Sequence, residues 1–326
     1  MPPERESTPR LSYRLEYLLA RAVVRVVESL PAGAAVALAH GVAALMHAVM
    51  RSRVRLARAQ MGDALGLDPA SREVASAIRQ VMRVIAYNSL WLVRLPRSVR
   101  DPRPDARERS EPPELNVGFE GREHLEAERS RGRGIVFATA HLGNWEGLGA
   151  ILPRLGVPVA TVSRPMKNPL LQEWARRLRE HGGQRLIPKD GAALPVARLL
   201  KKGGCVAFLI DQHAGSDGVR MPFFQAECST FTSAATLARR FDAAFLPTWS
   251  RVIGPREARV HFEPAIPCDR SLPADEDAYR MTLRFNRLLE AAIGAAPGQF
   301  LWLHRRWKKG GREPDPAWRE RYARAG

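Results

Sequence analysis

The residues best suited to chemistry are a histidine and a glutamate that follow a short apolar run. Residues 135–140 read Ile-Val-Phe-Ala-Thr-Ala, His141 comes next, and Glu146 follows after four intervening residues. An imidazole oriented by a carboxylate can take the proton of an alcohol and drive its attack on an acyl carbonyl. The pattern therefore indicates a general-base site. A surface histidine beside a helix-initiating glutamate is the plain structural alternative.

The two side chains can meet in only one local arrangement. On a single helix, a separation of five residues would place them about 140° apart. A turn at Leu142-Gly143-Asn144 would allow contact if a helix began near Trp145. We therefore predict His141 in the loop and Glu146 in the first helical turn. In that arrangement Glu146 holds the Nδ1 proton, and Nε2 acts as the base.

A second block, Ser-Arg-Pro-Met-Lys-Asn-Pro-Leu-Leu at residues 163–171, follows a predicted strand and opens a predicted helix. Arg164 and Lys167 are cations near a helix start, where backbone N–H groups also gather. Such a place suits a phosphate or a developing oxyanion. We group Asn168 with them as a substrate-binding residue. A solvated basic loop is the alternative.

A third block begins at Asp211, directly after the apolar run 205–210. Asp211 could orient Arg164 or a loop backbone. With His213 it could also begin a metal site, but no third ligand has fitting spacing, so we predict no metal.

A last block, residues 299–309, interleaves aromatic side chains with basic ones. Nucleic acid could use this composition through stacking and phosphate contacts. A membrane interface could use it equally well, with tryptophan at the depth of the lipid headgroups.

The elements that must position these blocks alternate along residues 117–326. Apolar runs at 135–140, 157–162, 205–210 and 244–249, with a further candidate at 259–262, predict strands. Periodic stretches at 145–155, 169–180, 192–202 and 233–241 predict helices between them. This order predicts an α/β fold with a mostly parallel central sheet flanked by helices. Sites in such sheets lie beyond the carboxyl ends of the strands, where His141 and Asp211 both fall.

The N-terminal part is of a different kind. Residues 1–95 read as helical, and residues 96–116 form a charged, proline-bearing connector. Residues 11–28 form a basic amphipathic pattern that suits an anionic bilayer surface or docking on the protein's own domain. Residues 31–50 carry no formal charge and have the length of a bilayer span. They are rich in alanine and glycine, which favours a membrane-surface or buried helix. We predict a membrane-associating helical region.

The overall charge narrows the class of partner. The chain has 51 basic and 34 acidic residues, a formal charge of +17. Such a balance favours polyanions: nucleic acid, anionic lipid headgroups or an acidic carrier protein.

Taken in order, the four blocks resemble the bacterial lipid A biosynthesis acyltransferase family, the lauroyl and myristoyl transferases within the glycerolipid and lysophospholipid acyltransferase superfamily. The matching pieces are His141-Leu-Gly-Asn-Trp-Glu146, Arg164-Pro-Met-Lys-Asn-Pro-Leu-Leu171, Asp211-Gln212 with Pro222-Phe-Phe224 and Thr230, and Trp302-Leu-His-Arg-Arg-Trp-Lys308. The resemblance covers nearly the whole chain. This sequence departs from the family pattern after Phe224, where Gln225 stands in place of a common glycine and Glu227-Cys228-Ser229 stands in place of small residues.

The resemblance implies an enzyme with a glycerolipid acyltransferase-like fold. Its catalytic pair would be His141 and Glu146, with Arg164 and Asp211 at the substrate. It implies acyl transfer from an acyl carrier protein or acyl-CoA to a hydroxyl of an anionic, lipid A precursor-like glycolipid. The implied place is the cytoplasmic face of the inner membrane, with no cofactor beyond the acyl donor and no nucleic-acid partner.

Several alternatives stay open at this point. The acceptor could instead be a mannoside, an aminolipid or a lysophospholipid. A thioesterase would use the same base on water, and a basic membrane- or nucleic-acid-binding protein would need no catalysis. The sequence also leaves open the acyl chain length, the donor, the hydroxyl and the oligomeric state.

Overall fold

The computed structural model describes residues 10–98, 115–163 and 165–322. Four helices come first: α1 (Leu11–Ser29), α2 (Ala32–Val49), α3 (Arg51–Leu65) and α4 (Arg72–Ser98). The predicted helical N-terminal region is confirmed for the described residues. Helix α4 runs three residues further than the sequence pattern places it, and residues 99–114 of the predicted connector lie outside the described part of the chain.

The rest of the chain alternates strands and helices. In order they are β1 (Asn116–Glu120), α5 (Arg122–Ser130), β2 (Ile135–Thr139), α6 (Trp145–Arg154), β3 (Val159–Ser163), α7 (Pro169–His181), β4 (Arg185–Pro188), α8 (Ala193–Lys201), β5 (Cys205–Leu209), β6 (Val219–Phe223), β7 (Ala226–Thr230), α9 (Ser233–Arg240), β8 (Ala244–Gly254), β9 (Glu257–Phe262), α10 (Ala274–Ala295) and α11 (Pro316–Tyr322).

Seven of these strands form the central sheet, in the order β1-β9-β8-β2-β5-β3-β4. Every neighbouring pair is parallel except β8 and β9. Strands β6 and β7 form a separate antiparallel hairpin. The predicted α/β class with a mostly parallel sheet is confirmed. All five residues of β2 are buried, as expected for a strand near the centre of such a sheet.

The register between β2 and β5 decides where the site forms. Thr139 and Leu209, the last residues of the two strands, are Cα partners. The backbone N–H of Ile210 donates to the Thr139 carbonyl at 3.1 Å, which keeps the two chains level beyond the strands. His141 and Asp211 each lie two residues past these ends. They therefore leave the sheet side by side.

The helical region and the sheet share one hydrophobic core. Buried side chains of α4, such as Met82 and Trp91, belong to the same cluster as Phe137 of β2 and Leu148 of α6. Helix α4 packs against α2, against α6 and against a short 3-10 turn at residues 297–299. Helix α1, in contrast, contributes no fully buried residue.

Candidate active site

The centre of the site is a histidine–aspartate pair at the carboxyl edge of the sheet. His141 Nδ1 lies 2.9 Å from Asp211 Oδ1. The Asp211 side chain is 2% exposed and that of His141 is 21% exposed. A carboxylate accepts and cannot donate, so Nδ1 carries the proton and Nε2 keeps its lone pair. The ring nitrogen that Asp211 does not hold is thus the basic one.

The electrostatics of the pair support this assignment. Burial alone would lower the pKa of His141, but the carboxylate of Asp211, and at longer range that of Glu146, raise it above the ordinary value. Burial would likewise raise the pKa of Asp211, but the adjacent imidazole keeps that pKa below its ordinary value. Asp211 therefore stays ionised and stabilises an imidazolium when one forms.

Glu146 does not hold the imidazole, which corrects the arrangement expected from its spacing. Helix α6 begins at Trp145, so Glu146 does lie in its first turn as predicted. Its carboxylate is instead occupied by Arg179 of α7, whose Nε and Nη2 donate at 3.1 and 3.0 Å. Because β2 and β5 end side by side, Asp211 rather than Glu146 reaches Nδ1 of His141. Glu146 acts on His141 through its charge, and its assignment to the catalytic pair stays a prediction.

The role expected of Asp211 is corrected in the same way. The sequence predicts Asp211 as a partner for Arg164 or the loop backbone, and the family resemblance places it at the substrate. The structure makes it the acceptor that orients His141. The signal that could have shown this is the equal offset of His141 and Asp211 from the ends of their apolar runs.

The loop that carries the histidine is closely packed. Gly143 has φ 60°, and a Cβ at this position would lie 1.9 Å from the Ser250 carbonyl oxygen of β8. Its N–H donates to the Gln299 carbonyl at 2.9 Å. The Leu301 N–H donates to the His141 carbonyl at 3.0 Å. Only glycine fits this left-handed position, so the turn at residues 142–144 is specified by the fold around it.

The second block is only partly described. Arg164 lies outside the described residues, so its predicted binding role stays a prediction, and Lys167 is exposed. Asn168 is buried and has other partners. Its Oδ1 caps α7 by accepting two N–H groups at 3.0 and 3.4 Å, and its Nδ2 donates to Tyr13 O and Glu16 Oε2 at 3.0 and 2.9 Å. Asn168 therefore ties α1 to α7, and the substrate-binding role predicted for it stays a prediction.

Two further side chains at the imidazole were not assigned a role from the sequence. Gln212 Nε2 lies 3.4 Å from His141 Nε2, the ring nitrogen that Asp211 does not hold. His304 Nε2 accepts from the His213 N–H at 3.2 Å. Burial lowers the pKa of His304 despite the nearby charge of Asp211. Within the described residues, no group of three or more histidine, cysteine, aspartate or glutamate side chains could hold a metal ion.

The block at residues 299–309 is divided between interior and surface: its aromatic side chains and Arg306 are buried or half-buried, whereas Arg305, Lys308 and Lys309 are exposed. Trp302 and Arg306 are among the most deeply buried large side chains of the described residues. Arg306 donates to the carbonyls of Gln212 and Ser229 at 3.1 and 2.6 Å and to Thr230 Oγ1 at 2.6 Å. This guanidinium therefore fixes the backbone next to Asp211.

Comparison with known proteins supports the resemblance drawn from the four blocks. A sequence model of the family described as bacterial lipid A biosynthesis acyltransferase matches residues 3–309. The lipid A biosynthesis lauroyltransferase of Escherichia coli K12 is 33% identical over 193 residues, 58% of this chain and 60% of that protein. The palmitoleoyltransferase of the same organism is 29% identical over 195 residues, with the same coverage. The match thus spans about 60% of the length of these curated relatives.

More distant similarities are also found. A phosphatidylinositol mannoside acyltransferase of Mycobacterium tuberculosis is 29% identical over 132 residues, 39% of this chain and 42% of that protein. The crystal structure of the 1-acyl-sn-glycerophosphate acyltransferase PlsC from Thermotoga maritima aligns with 80% of this chain and 95% of that one, at 11% identity and a TM-score of 0.36. Since the family model covers almost the entire sequence, the chain belongs to the bacterial lipid A biosynthesis acyltransferase family.

Proposed function

We propose that this protein is a membrane-associated O-acyltransferase. It moves a fatty acyl chain from the thioester of an acyl carrier protein or coenzyme A to a hydroxyl of a glycolipid similar to a lipid A precursor. The observation that carries the proposal is the His141–Asp211 pair at the carboxyl edge of the sheet, which leaves Nε2 as the basic nitrogen of the imidazole. Family membership supplies the acyl group and the class of acceptor.

The proposed reaction follows from this geometry. Nε2 of His141 takes the proton of the acceptor hydroxyl as its oxygen attacks the thioester carbonyl carbon. Asp211 stabilises the imidazolium that results. The tetrahedral intermediate then collapses, the carbon–sulfur bond breaks, and the imidazolium returns its proton to the departing thiolate. The thioester is already activated, so this chemistry needs neither a metal nor a redox cofactor.

The proposed binding groups lie along the chain after β3. Arg164 and Lys167 precede the capped start of α7, and both carry positive charge. We assign them to a phosphate of the acceptor or to the developing oxyanion. The excess of basic residues would attract both an anionic glycolipid and an acidic carrier protein.

The helical region supports membrane association. Of the described residues, most exposed large apolar side chains lie on α1 and α2: Leu11, Leu15, Leu18, Leu19, Val23, Val26, Leu38, Val42, Leu45 and Val49. Helix α2 is long and apolar enough to cross a bilayer, and 17% of it is buried within the protein. We propose that this surface binds the cytoplasmic face of the inner membrane, where acyl thioesters and the acceptor meet.

The test is an acylation assay on the purified full chain in phospholipid vesicles. A lipid A precursor is incubated with acyl carrier protein or coenzyme A thioesters, and the glycolipid is analysed by mass spectrometry. The wild-type protein should add one acyl chain, and His141→Ala should lower the rate by at least about 100-fold. His124→Ala, at a partly exposed histidine on α5, is the matched control.

The same assay separates the competing functions. A mannoside acceptor is included because a phosphatidylinositol mannoside acyltransferase is among the relatives. Release of free fatty acid without any acylated lipid would indicate a thioesterase. Unchanged transfer in His141→Ala would refute the proposed base.

A further inference from the structure

We propose that Asn88, a residue of the N-terminal helical region, positions the catalytic loop, so that α4 forms part of the active site. Asn88 lies in the middle of α4 and is 2% exposed. The sequence gives no local sign of this role, because the loop it contacts begins more than 50 residues later. The kinetic test below depends on the proposed acyl transfer, and the spectroscopic test does not.

All the hydrogen-bonding atoms of the Asn88 amide are used. Its Nδ2 donates to the Gly143 carbonyl at 2.7 Å and to the Val84 carbonyl of its own helix at 2.9 Å. Its Oδ1 accepts from the Glu146 N–H at 3.0 Å. One side chain thus binds two backbone groups, the Gly143 carbonyl in the loop after His141 and the Glu146 N–H at the start of α6.

These two backbone groups need partners that the loop itself does not supply. The first N–H groups of a helix have no intrahelical acceptor. In α6, Asn144 satisfies one of them, through its Oδ1 to the Gly147 N–H. Asn88 provides the acceptor for Glu146 and also the donor for the Gly143 carbonyl. It therefore adds to the cap of α6 from a different part of the chain.

Loss of this amide would act on the imidazole through the backbone. A buried polar group without a partner destabilises the fold, because its hydrogen bonds to water are lost and not replaced. The loop can avoid that cost only by moving its backbone toward other partners. Gly143 is two residues from His141 and packs against Ser250 and Gln299. A displacement of Gly143 therefore moves His141 as well and changes the geometry of the hydrogen bond from Nδ1 to Asp211.

The kinetic test compares two buried asparagines of similar kind. Asn88→Leu keeps the volume and removes the three hydrogen bonds. Asn286→Leu is the control, since Asn286 is fully buried on α10 and donates to the Pro222 carbonyl at 3.1 Å. We expect Asn88→Leu to lower kcat roughly 10- to 100-fold, with KM for donor and acceptor unchanged within about threefold. Asn286→Leu should lose thermal stability and keep kcat within about threefold.

A spectroscopic test reads the loop position without any substrate. The imidazole of His141 is titrated by NMR in the full chain in detergent. In the wild-type protein its pKa lies above the ordinary 6.5 because Asp211 and Glu146 favour the charged form. Asn88→Leu should move this pKa toward lower values, because a displaced loop weakens the bond to Asp211. Asn286→Leu should leave it in place.

The outcomes separate this proposal from the proposed function. If no wild-type transfer is seen, the proposed function fails, and the titration alone decides the role of Asn88. The proposal would be overturned if the His141 pKa in Asn88→Leu equals the wild-type value. It would also be overturned if Asn286→Leu loses as much kcat as Asn88→Leu while the two variants are equally stable. If Asn88→Leu does not fold, Asn88→Asp decides, since its carboxylate must repel the Gly143 carbonyl. Wild-type kcat and titration in that variant would refute the positioning role.

Discussion

Two carboxylates act on one imidazole, and the structure separates their contributions. Asp211 accepts directly from Nδ1 and is almost fully buried. Glu146 is held by Arg179 and reaches His141 only through its charge. The first therefore sets both tautomer and orientation, and the second adjusts the pKa. This division explains why spacing within one loop was a poor guide to which acid holds the base.

The division gives a pH-dependent prediction for Asp211→Asn. A protonated imidazole cannot take a proton, so wild-type kcat should fall as the pH drops through the raised pKa of His141. Without the Asp211 charge that pKa decreases, and the acidic limb of the kcat profile should move to lower pH. The maximal rate should also fall by roughly 100- to 10,000-fold, because the tautomer is no longer enforced.

Glu146→Gln is the matched comparison, measured over the same pH range. It removes a charge but no hydrogen bond to the imidazole, so its acidic limb should move less than that of Asp211→Asn. An acidic limb that stays in place or moves to higher pH in Asp211→Asn would contradict the proposed pairing.

At the scale of elements, the pattern of apolar residues predicted the strands and helices that depend on local sequence. The apolar runs at 135–140 and 205–210 correspond to β2 and β5, because strands buried on both faces read as continuous apolar stretches. The four helices predicted between the strands are also present. Strand β4 (Arg185–Pro188) escaped prediction because it is a short, half-exposed edge strand.

The contacts that build the site were less predictable because they are non-local. Nothing in residues 135–146 shows that β5 lies beside β2, and this adjacency brings Asp211 to His141. The buried part of the block at 299–309 was not predicted, for a different reason. A segment of basic and aromatic residues can form a binding surface or surround a buried guanidinium, and its composition is the same in both cases. Only the backbone carbonyls that accept from Arg306 show that this guanidinium is buried.

Arg306→Met tests whether that block is structural. The substitution leaves the carbonyls of Gln212 and Ser229 and the Thr230 hydroxyl buried without their donor. We expect the free energy of unfolding to fall by about 2–5 kcal/mol, measured by denaturant titration. Arg305→Met, at the exposed neighbouring position, should change it by no more than about 0.5 kcal/mol. Equal stability of the two variants would refute the structural role.

At the scale of the whole molecule, the exposed apolar surface of α1 and α2 is connected through shared elements to the edge of the sheet that carries His141. Arg94 of α4 donates to the Val27 and Leu30 carbonyls at the end of α1, at 2.8 and 2.9 Å. Asn168 holds the beginning of the same helix at Tyr13. Helix α1 is thus attached at both ends while its leucines stay exposed. Such an arrangement suits a helix that packs against a bilayer as well as against its own protein.

This surface leads to a prediction for Leu19→Glu. Leu19 is 68% exposed on α1, and Leu194, the matched control, is 57% exposed on α8. Burying a leucine in a bilayer contributes about 1.5–3 kcal/mol, so Leu19→Glu should weaken co-sedimentation with anionic phospholipid vesicles roughly tenfold or more. Since α1 contributes no buried residue, the melting temperature should not change. Leu194→Glu alters the net charge equally, so equal loss of binding in both variants would attribute it to charge and contradict insertion of α1.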